Sequence, residues 1–324
     1  MADGLTLRPY EALCLFCSGA GAVPEPQRSR LARAADAIHQ RPDLPVTLRC
    51  LAQDVYTYQD VEVVGSVEFA RRRDLTILYM LDLPPGATLP ARTLLFRIRK
   101  AITTTAGLCG HEGNVSPAWQ GCPLAFTGQF ERGVAMPLET LVPARTTEEM
   151  ARDKAASVAA MEAGVLRIRP HVMMCAVCYF GRNQTSTAPL AADNIVEFIQ
   201  IIRRRPDDVS VVVAPGADWM VCAPCPYRVP DMNACVNVAG SGGLSNEKRD
   251  LDLLQILDLQ YEDALSGREM LRLLFTRVPD TSAVCRRASP ELSVWWDGCG
   301  QSNCAQGNDG YAAGRRALMD QLQL

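Results

Sequence analysis

An internal repeat that carries cysteines constrains the fold of this chain more than any other feature. Residues 5–9, LTLRP, return 161 positions later as residues 166–170, LRIRP. Further matches follow in the same order at offsets that grow from 161 to 177: Cys14 with Cys175, Cys17 with Cys178, 41–43 with 205–207, 81–83 with 257–259, Cys109 with Cys285, and 119–122 with 296–299. A drift in one direction indicates loop insertions in one of two copies. We therefore interpret the chain as a tandem duplication.

The length of 324 residues allows two domains, each with its own core. Strand-like and helix-like apolar patterns occur in both halves. They predict an α/β fold of two tandem duplicated mixed α/β domains, related by pseudo-two-fold symmetry. The first domain, residues 1–150, is the more divergent copy and carries five cysteines. The second domain, residues 151–324, carries eight and holds the full cysteine-rich motif.

Charge and hydropathy argue against two classes of partner. The net charge is -3 and the isoelectric point is near 5.7, whereas phosphate contacts with nucleic acid need a basic surface. No stretch reaches the ~18–20 apolar residues that cross a bilayer, and the first residues show no signal peptide. We therefore expect a cytoplasmic protein that binds neither nucleic acid nor membrane.

Periodicity and capping signals predict the main secondary-structure elements. Residues 5–17 indicate a buried strand, which the loop 19–21 ends. The spacing of four apolar residues predicts one helix face: Ile195, Phe198, Ile199 and Ile202. The other predictions are helices over 26–40, 75–83, 94–98, 251–257 and 270–274, strands over 46–50 and 209–213, and a capping box at 146–149 before a helix that ends at Gly164. Ser245 or Asn246 is expected to cap the helix over 251–257.

The cysteines indicate ligands rather than packing residues. A buried apolar position accepts Val or Ala as readily as Cys, so thiols kept at corresponding places point to a metal or a cluster. A reducing cytoplasm disfavours disulfides, and 13 is an odd number of thiols. The drifting offset gives Cys50 either Cys222 or Cys225 as its counterpart. Cys17 and Cys178 are the repeated thiols most readily read as non-ligating core residues.

The strongest local motif places Cys222 and Cys225 in a C-x2-C-Pro loop, with Cys235 following. A C-x2-C turn lets two thiolates reach one metal centre, and a proline after the second cysteine is frequent in ferredoxin-type loops. Zinc accepts the same spacing, but a zinc ribbon shows two compact pairs, and histidine is nearly absent here. We therefore predict an iron–sulfur cluster, [4Fe–4S], with zinc as the alternative. The predicted ligands are Cys14, Cys50, Cys109, Cys122, Cys175, Cys222, Cys225, Cys235, Cys285, Cys299 and Cys304.

A set of residues between positions 166 and about 310 matches a known family pattern. The set is Arg169, His171, Cys175, Asp218, Cys222, Cys225, Pro226, Cys235, Leu257, Leu259, Cys285, Cys299, Cys304 and Gly307. On these residues the second half resembles a family of small, uncharacterised, cysteine-rich prokaryotic domains regarded as iron–sulfur proteins. Only one histidine precedes Cys175, and the last cysteines are more widely spaced than in that family. The resemblance implies an iron–sulfur site and no particular reaction.

Three functions fit these features. The first is an iron–sulfur redox protein, for electron transfer or as the redox component of a larger reaction, with a second redox protein as its partner. The second is an enzyme in which a cluster with three Cys ligands uses its open iron as a Lewis acid on a small substrate. His171 is an outside candidate for a catalytic group there, since on a strand it would face the same side as Cys175. The third is a zinc-stabilised interaction protein.

Overall fold

The structure, a computed structural model, divides into two compact units, residues 1–144 and 145–324. It describes residues 4–23, 27–50, 66–113, 116–183, 188–229, 233–235, 243–285 and 309–324. The predicted ligands Cys299 and Cys304 lie outside the described residues. Each unit has its own hydrophobic core and combines a small sheet with several helices. The predicted mixed α/β fold class is therefore confirmed.

The first unit is built on a three-stranded sheet. Its strands are β1 (Leu5–Leu7), β2 (Pro45–Leu48) and β3 (Thr88–Pro90), in the order β1-β2-β3. Its helices are α1 (Pro9–Ala20), α2 (Gln27–Gln40), α3 (Val67–Leu81), α4 (Ala91–Ala101), α5 (Pro117–Gln120) and α6 (Gln129–Ala135), with 3₁₀ turns at Pro123–Phe126 and Leu138–Thr140. β1 and β2 are parallel, so the chain needs a crossover between them, which α1 and α2 supply. β3 is antiparallel to β2.

The second unit has a sheet of the same size and a separate hairpin. The sheet strands are β4 (Val165–Ile168), β5 (Ser210–Val213) and β8 (Ala264–Ser266), and the hairpin strands are β6 (Arg228–Val229) and β7 (Ala234–Cys235). The helices are α7 (Thr147–Glu162), α8 (Pro170–Arg182), α9 (Ile195–Arg204), α10 (Leu244–Leu257), α11 (Gly267–Arg277), α12 (Ser282–Cys285) and α13 (Asp309–Leu322). Here α8 and α9 form the crossover between the parallel strands β4 and β5.

The two sheets share strand order, strand direction and register. Leu5 pairs with Val46 in the first unit, and Leu166 pairs with Val211 in the second. The antiparallel pairs β2–β3 and β5–β8 agree in the same way. The two units therefore contain the same strand arrangement. The duplication and its pseudo-two-fold axis stay predictions.

The strand predicted over residues 5–17 is wrong beyond its first part. β1 is three residues long, and α1 begins at Pro9, whose ring supplies a helical φ and whose missing N–H needs no acceptor. The backbone N–H of Arg8 donates to the Glu11 carboxylate at 2.7 Å, which closes this helix start. Because α1 is buried on most sides, its apolar run could not distinguish a strand from a helix. The second unit makes the same change at Pro170.

Elements with strong local signals agree with their predictions. The capping box before α7 forms, since the Glu149 N–H donates to Thr146 Oγ1 at 3.2 Å and the Thr146 N–H donates to Glu149 Oε2 at 2.8 Å. Helices α4, α9 and α11 cover their predicted segments. Helix α2 and strands β2 and β5 overlap their predicted segments, with ends that differ by one or two residues, whereas α3 begins before its predicted segment and ends two residues short of it. The predicted cap of α10 is wrong, because this helix begins at Leu244 with Gly243 at the N-cap position.

Glycines bring helices into backbone contact in both units. A Cβ on Gly133 of α6 would lie 2.1 Å from the carbonyl oxygen of Phe16 on α1. A Cβ on Gly314 of α13 would lie 2.1 Å from the carbonyl oxygen of Val177 on α8. Any side chain at either position would push the two helices apart. Phe16 and Val177 differ by the repeat offset of 161, so the two crossings lie at corresponding points of α1 and α8.

Candidate functional site

Four cysteines line one cavity in the first unit. They are Cys14, Cys17, Cys109 and Cys122. None of the four is in a disulfide. The space that the centre of a water molecule can reach inside the cavity is about 30 Å³, at least twice the roughly 10–15 Å³ that one water needs. The fold therefore gathers the first-half members of the repeated cysteine set in one place.

Helix α1 supplies two of these thiols on one face. Cys14 and Cys17 are three residues apart, and positions i and i+3 lie on the same side of a helix. Cys14 is partly exposed and Cys17 is buried. The sequence favours Cys17 as a core residue that does not bind a metal. In the structure, however, Cys17 lines the cavity together with the other three cysteines.

Backbone contacts hold the other two cavity cysteines together. The Cys122 N–H donates to the Cys109 carbonyl at 2.7 Å. Beside this bond, Gly121 has a φ of 74°, and a Cβ there would lie 2.4 Å from the same carbonyl oxygen. Only glycine allows both the positive φ and the close approach. This contact, which we call the cysteine latch, accounts for the glycine before Cys122, and the sequence of the second half also has a glycine, Gly298, before Cys299.

Burial favours the protonated form of three cavity thiols, those of Cys14, Cys17 and Cys109. Desolvation, and then the neighbouring Cys109 thiol, raise the pKa of Cys14 well above its ordinary value. Desolvation also raises the pKa of Cys109 to about 12 and raises the pKa of Cys17. The charge of Arg73 acts in the opposite direction on the pKa values of Cys14 and Cys109. Deprotonation of these three thiols therefore needs additional positive charge nearby, which a metal centre would supply.

A buried ion pair lies at corresponding places in each unit. In the first unit, Arg8 Nε and Nη2 donate to Asp74 Oδ2 at 3.0 and 2.9 Å. In the second, Arg169 Nε donates to Asp250 Oδ2 at 2.8 Å, and its Nη2 lies 2.6 Å from the same oxygen. Sequence reasoning missed both aspartates. The signal was the tripeptide Arg-Asp-Leu, which occurs at 73–75 and returns 176 positions later.

The second unit places three of its four repeated cysteines among the described residues. Cys175 and Cys178 lie on α8, again three residues apart, and Cys285 ends α12. Burial raises the pKa of Tyr311, and the thiols of Cys178 and Cys285 add to that rise. Cys178 and Cys285 therefore lie near one common side chain, although 107 positions separate them in the sequence.

The C-x2-C loop of the second unit forms a compact turn. The Cys225 N–H donates to the Cys222 carbonyl at 3.0 Å. Arg145 Nη1 fixes the loop from outside by donating to two of its carbonyls, at 2.7 and 2.8 Å. Arg228 donates its backbone N–H to the Cys225 carbonyl at 3.1 Å and pairs with Cys235 across the hairpin. The hairpin therefore brings Cys235 back toward the loop.

The three thiols of this loop and hairpin interact with one another. Desolvation raises the pKa of Cys222 well above its ordinary value, Arg169 lowers it, and the Cys225 and Cys235 thiols raise it further. Burial raises the pKa of Cys225 to about 11. Asn246 Nδ2 lies 3.5 Å from Cys235 Sγ. The loop thus joins three thiols and a buried arginine in a second group of candidate ligands.

His171 lies in the first turn of α8 and not on a strand as predicted. Its Nδ1 is 2.6 Å from Asp250 Oδ1, and its backbone N–H donates to the same oxygen at 3.0 Å. Burial lowers the pKa of His171 despite the attraction of Asp250, so the neutral ring donates its Nδ1–H. These contacts give His171 a structural role at the start of α8, whereas a catalytic role stays a prediction.

Cys50 belongs to the core of the first unit. It is fully buried, and it lies outside the set of residues that line the four-cysteine cavity. Cys50 follows β2 by two residues, and the register of the two sheets places Pro215 at the equivalent point after β5. Cys222 and Cys225 come 7 and 10 residues after Pro215, so the register does not support either as the counterpart of Cys50.

Comparison with known proteins gives no match from which a function could be transferred. The chain matches no protein-family model, no curated protein and no solved structure. Within the described residues, no three side chains of His, Cys, Asp or Glu stand close enough together to hold one metal ion. Nor does this part of the chain contain a helix with the length and apolar character needed to cross a membrane.

Proposed function

We propose that this chain is a cytoplasmic iron–sulfur protein that carries electrons, alone or as the redox component of a larger reaction. One observation carries the proposal. Four repeated thiols, up to 108 positions apart in the sequence, line a single cavity in the first unit. Four Cys thiolates are the ligand set of a [4Fe–4S] cluster. A second redox protein is the expected partner.

The arrangement of the thiols favours a cluster over a single zinc ion. Zinc draws four thiolates to about 2.3 Å from one atom, so their sulfur atoms crowd around a point. In a cluster each thiolate binds its own iron, and the four sulfur atoms stand around a larger centre. Thiols that form the wall of a cavity fit the second arrangement.

The residues of this chain would fix the ligands and control access to them. When bound, the cluster accepts and releases one electron at a time. Helix α1 and the cysteine latch hold the four thiols on rigid backbone, which limits rearrangement when the charge changes. Cys17 and Cys109 are buried, while Cys14 and Cys122 are partly exposed. The exposed side therefore offers a route for electrons to a partner.

Cluster loading of the first unit tests the proposal. Anaerobic reconstitution of the full chain with ferrous iron and sulfide is expected to give a brown protein. Cys14→Ala and Cys109→Ala should each remove the iron bound in the first unit, because each deletes one covalent attachment. Cys50→Ala is the matched control, since it removes a buried thiol outside the cavity and should keep the full iron content. Iron and sulfide analysis provides the measurement.

Two outcomes would contradict the iron–sulfur assignment. One is a colourless chain that takes up stoichiometric zinc and no iron, which would favour the interaction protein. The other is a full iron content in both Cys14→Ala and Cys109→Ala, which would show that the iron ligands are not the cysteines of α1 and the cysteine latch.

The three-thiol group supports a second candidate function, an enzyme with an open iron. Cys222, Cys225 and Cys235 interact with one another and with Arg169, and three ligands leave one iron of a cluster without a protein thiolate. An iron of this kind can polarise a carboxylate or hydroxyl group. Arg169 lies beside the same thiols, with its charge paired to Asp250.

Cys222→Ala separates this candidate from the electron carrier. The variant is expected to lose iron and to melt at a lower temperature, because ligation and folding are coupled. The electron paramagnetic resonance signal that Cys222→Ala removes is assigned to the three-thiol group. If this group binds a cluster with an open iron, citrate added to the reduced wild-type chain should shift that signal. An unchanged signal at saturating citrate would count against the enzyme and leave the electron carrier as the supported function.

A further inference from the structure

Arg73 is a buried cation in the wall of the four-cysteine cavity. Its side chain is 2% exposed, and the residue lines the cavity together with Tyr10. The guanidinium carbon lies 3.7 Å from the centroid of the Tyr10 ring and 5.4 Å from that of the Phe69 ring. Cation–π contacts of this kind hold an arginine in place without neutralising its charge.

The carboxylates near Arg73 are shared with other arginines. Asp74 Oδ2 accepts both bonds from Arg8, and Arg73 Nε is 3.7 Å from Asp74 Oδ1, beyond hydrogen-bond distance. Glu11 forms an ion pair with Arg30. These five side chains carry three positive charges and two negative ones. Among the described residues, Arg73 Nε has no hydrogen-bond partner.

Arg73 and Arg8 therefore share one buried carboxylate, Asp74. A buried positive charge that is only partly balanced in this way is unfavourable unless a further anion faces it. A [4Fe–4S] centre with four thiolates carries two negative charges in its oxidised form and three after it accepts one electron from a redox partner. We propose that Arg73 is the countercharge of this centre and raises its reduction potential by favouring the more negative, reduced form. This inference rests on the proposed function of the first unit.

The second unit differs at the corresponding position. Arg249 is the counterpart of Arg73 in the repeat, and its Nη1 donates to Asn246 Oδ1 at 2.8 Å. The counterpart of Tyr10 is His171, which contacts Asp250 instead of forming an aromatic platform for the arginine. The stacked, buried arginine beside the thiols is thus a specific property of the first unit among the described residues.

The charge of Arg73 can be tested by potentiometry on the full chain. The measured quantity is the midpoint potential of the electron paramagnetic resonance signal that Cys14→Ala removes, which assigns the signal to the first unit. Arg73→Gln is expected to change the one-electron reduction equilibrium at least tenfold against reduction, which corresponds to a potential lower by about 59 mV or more. Arg73→Lys keeps the charge and should restore most of the difference.

Arg71→Gln is the matched control. Arg71 lies on the same helix and loses the same charge, but its side chain is exposed, so solvent screens it and the potential should not move. A loaded Arg73→Gln variant with an unchanged potential would overturn the inference. If Arg73→Gln fails to bind iron while Arg73→Lys binds it, the charge is needed to hold the anionic centre, which supports the inference.

Failure of both Arg73 variants to bind iron would show that the guanidinium packing, rather than the charge alone, holds the site, and would also overturn the inference. A wild-type chain that binds no iron at all would reject the proposed function instead. Iron analysis of the wild-type chain therefore distinguishes the two failures.

Discussion

Asp250→Ala is expected to lower the free energy of unfolding of the second unit by about 3–5 kcal/mol, the cost of leaving a buried charge without its partner. Asp250 is fully buried and binds Arg169, whose side chain is 3% exposed, while its other oxygen binds the backbone and ring of His171. Its loss therefore removes the hydrogen-bond acceptor of a buried guanidinium, which among the described residues keeps only the Glu247 carboxylate at 3.7 Å, and the acceptor at the start of α8. Urea denaturation of the full chain, followed by circular dichroism, measures the effect.

The control for this prediction is Asp252→Ala, two residues further along α10. Asp252 pairs with Lys248 at 2.7 Å, but both side chains are accessible, and an accessible pair of this kind contributes less than about 1 kcal/mol. A result in which the two variants have equal stability would contradict a structural role for the buried pair. Asp74→Ala is expected to have a comparable effect on the first unit, because Asp74 holds the corresponding Arg8.

Gly314→Val is expected to destabilise the second unit by about 3 kcal/mol, because overpacking a tight contact forces the backbone to move. The new Cβ alone would lie 2.1 Å from the Val177 carbonyl oxygen, and the neighbouring Gly181 and Gly310 form an equally close approach between α8 and α13. Since α8 carries Cys175 and Cys178, the same variant should also weaken any cluster bound there.

The comparison variant for the crossing is Arg316→Ala on the exposed side of α13. A surface change of this type is expected to stay within about 0.5 kcal/mol of the wild-type chain. Thermal unfolding with and without iron separates the effect on packing from the effect on the cluster. Equal melting temperatures for Gly314→Val and the wild-type chain would show that the helices do not meet as described.

The part of the fold that the sequence predicted well is the part with local signals. Ile195 and Phe198 begin a regular apolar face that one helix turn defines, and Thr146 with Glu149 forms a cap within four residues. Helix α1 lacks such a signal, because burial on most sides removes the polar face that marks a helix. In that case Pro9, at the first helical position, was the informative residue.

The candidate site was predictable in its thiols and not in its charges. The sequence indicated Cys14 and Cys109 as ligands because both recur in the repeat. A core position that needed only an apolar side chain could as readily hold Val or Ala. Arg73 and Asp74 lie within a helix whose other arginines are exposed, so their burial depends on tertiary packing that one sequence does not display. The prediction of Cys50 as a ligand shows the opposite limit, because this thiol lies in the core of the first unit and outside the cavity.

A centre in the four-cysteine cavity would also affect how the first unit folds. A centre bound to Cys14 and Cys122 would cross-link positions 108 apart and close most of the unit into a single covalent loop. A disulfide that closes a loop of roughly 100 residues reduces the entropy of the unfolded chain by an amount worth about 4–5 kcal/mol. By the same reasoning, the bound centre would stabilise the folded first unit in addition to carrying electrons. Oxidative loss of the iron would then remove the redox function and loosen the first unit in one event.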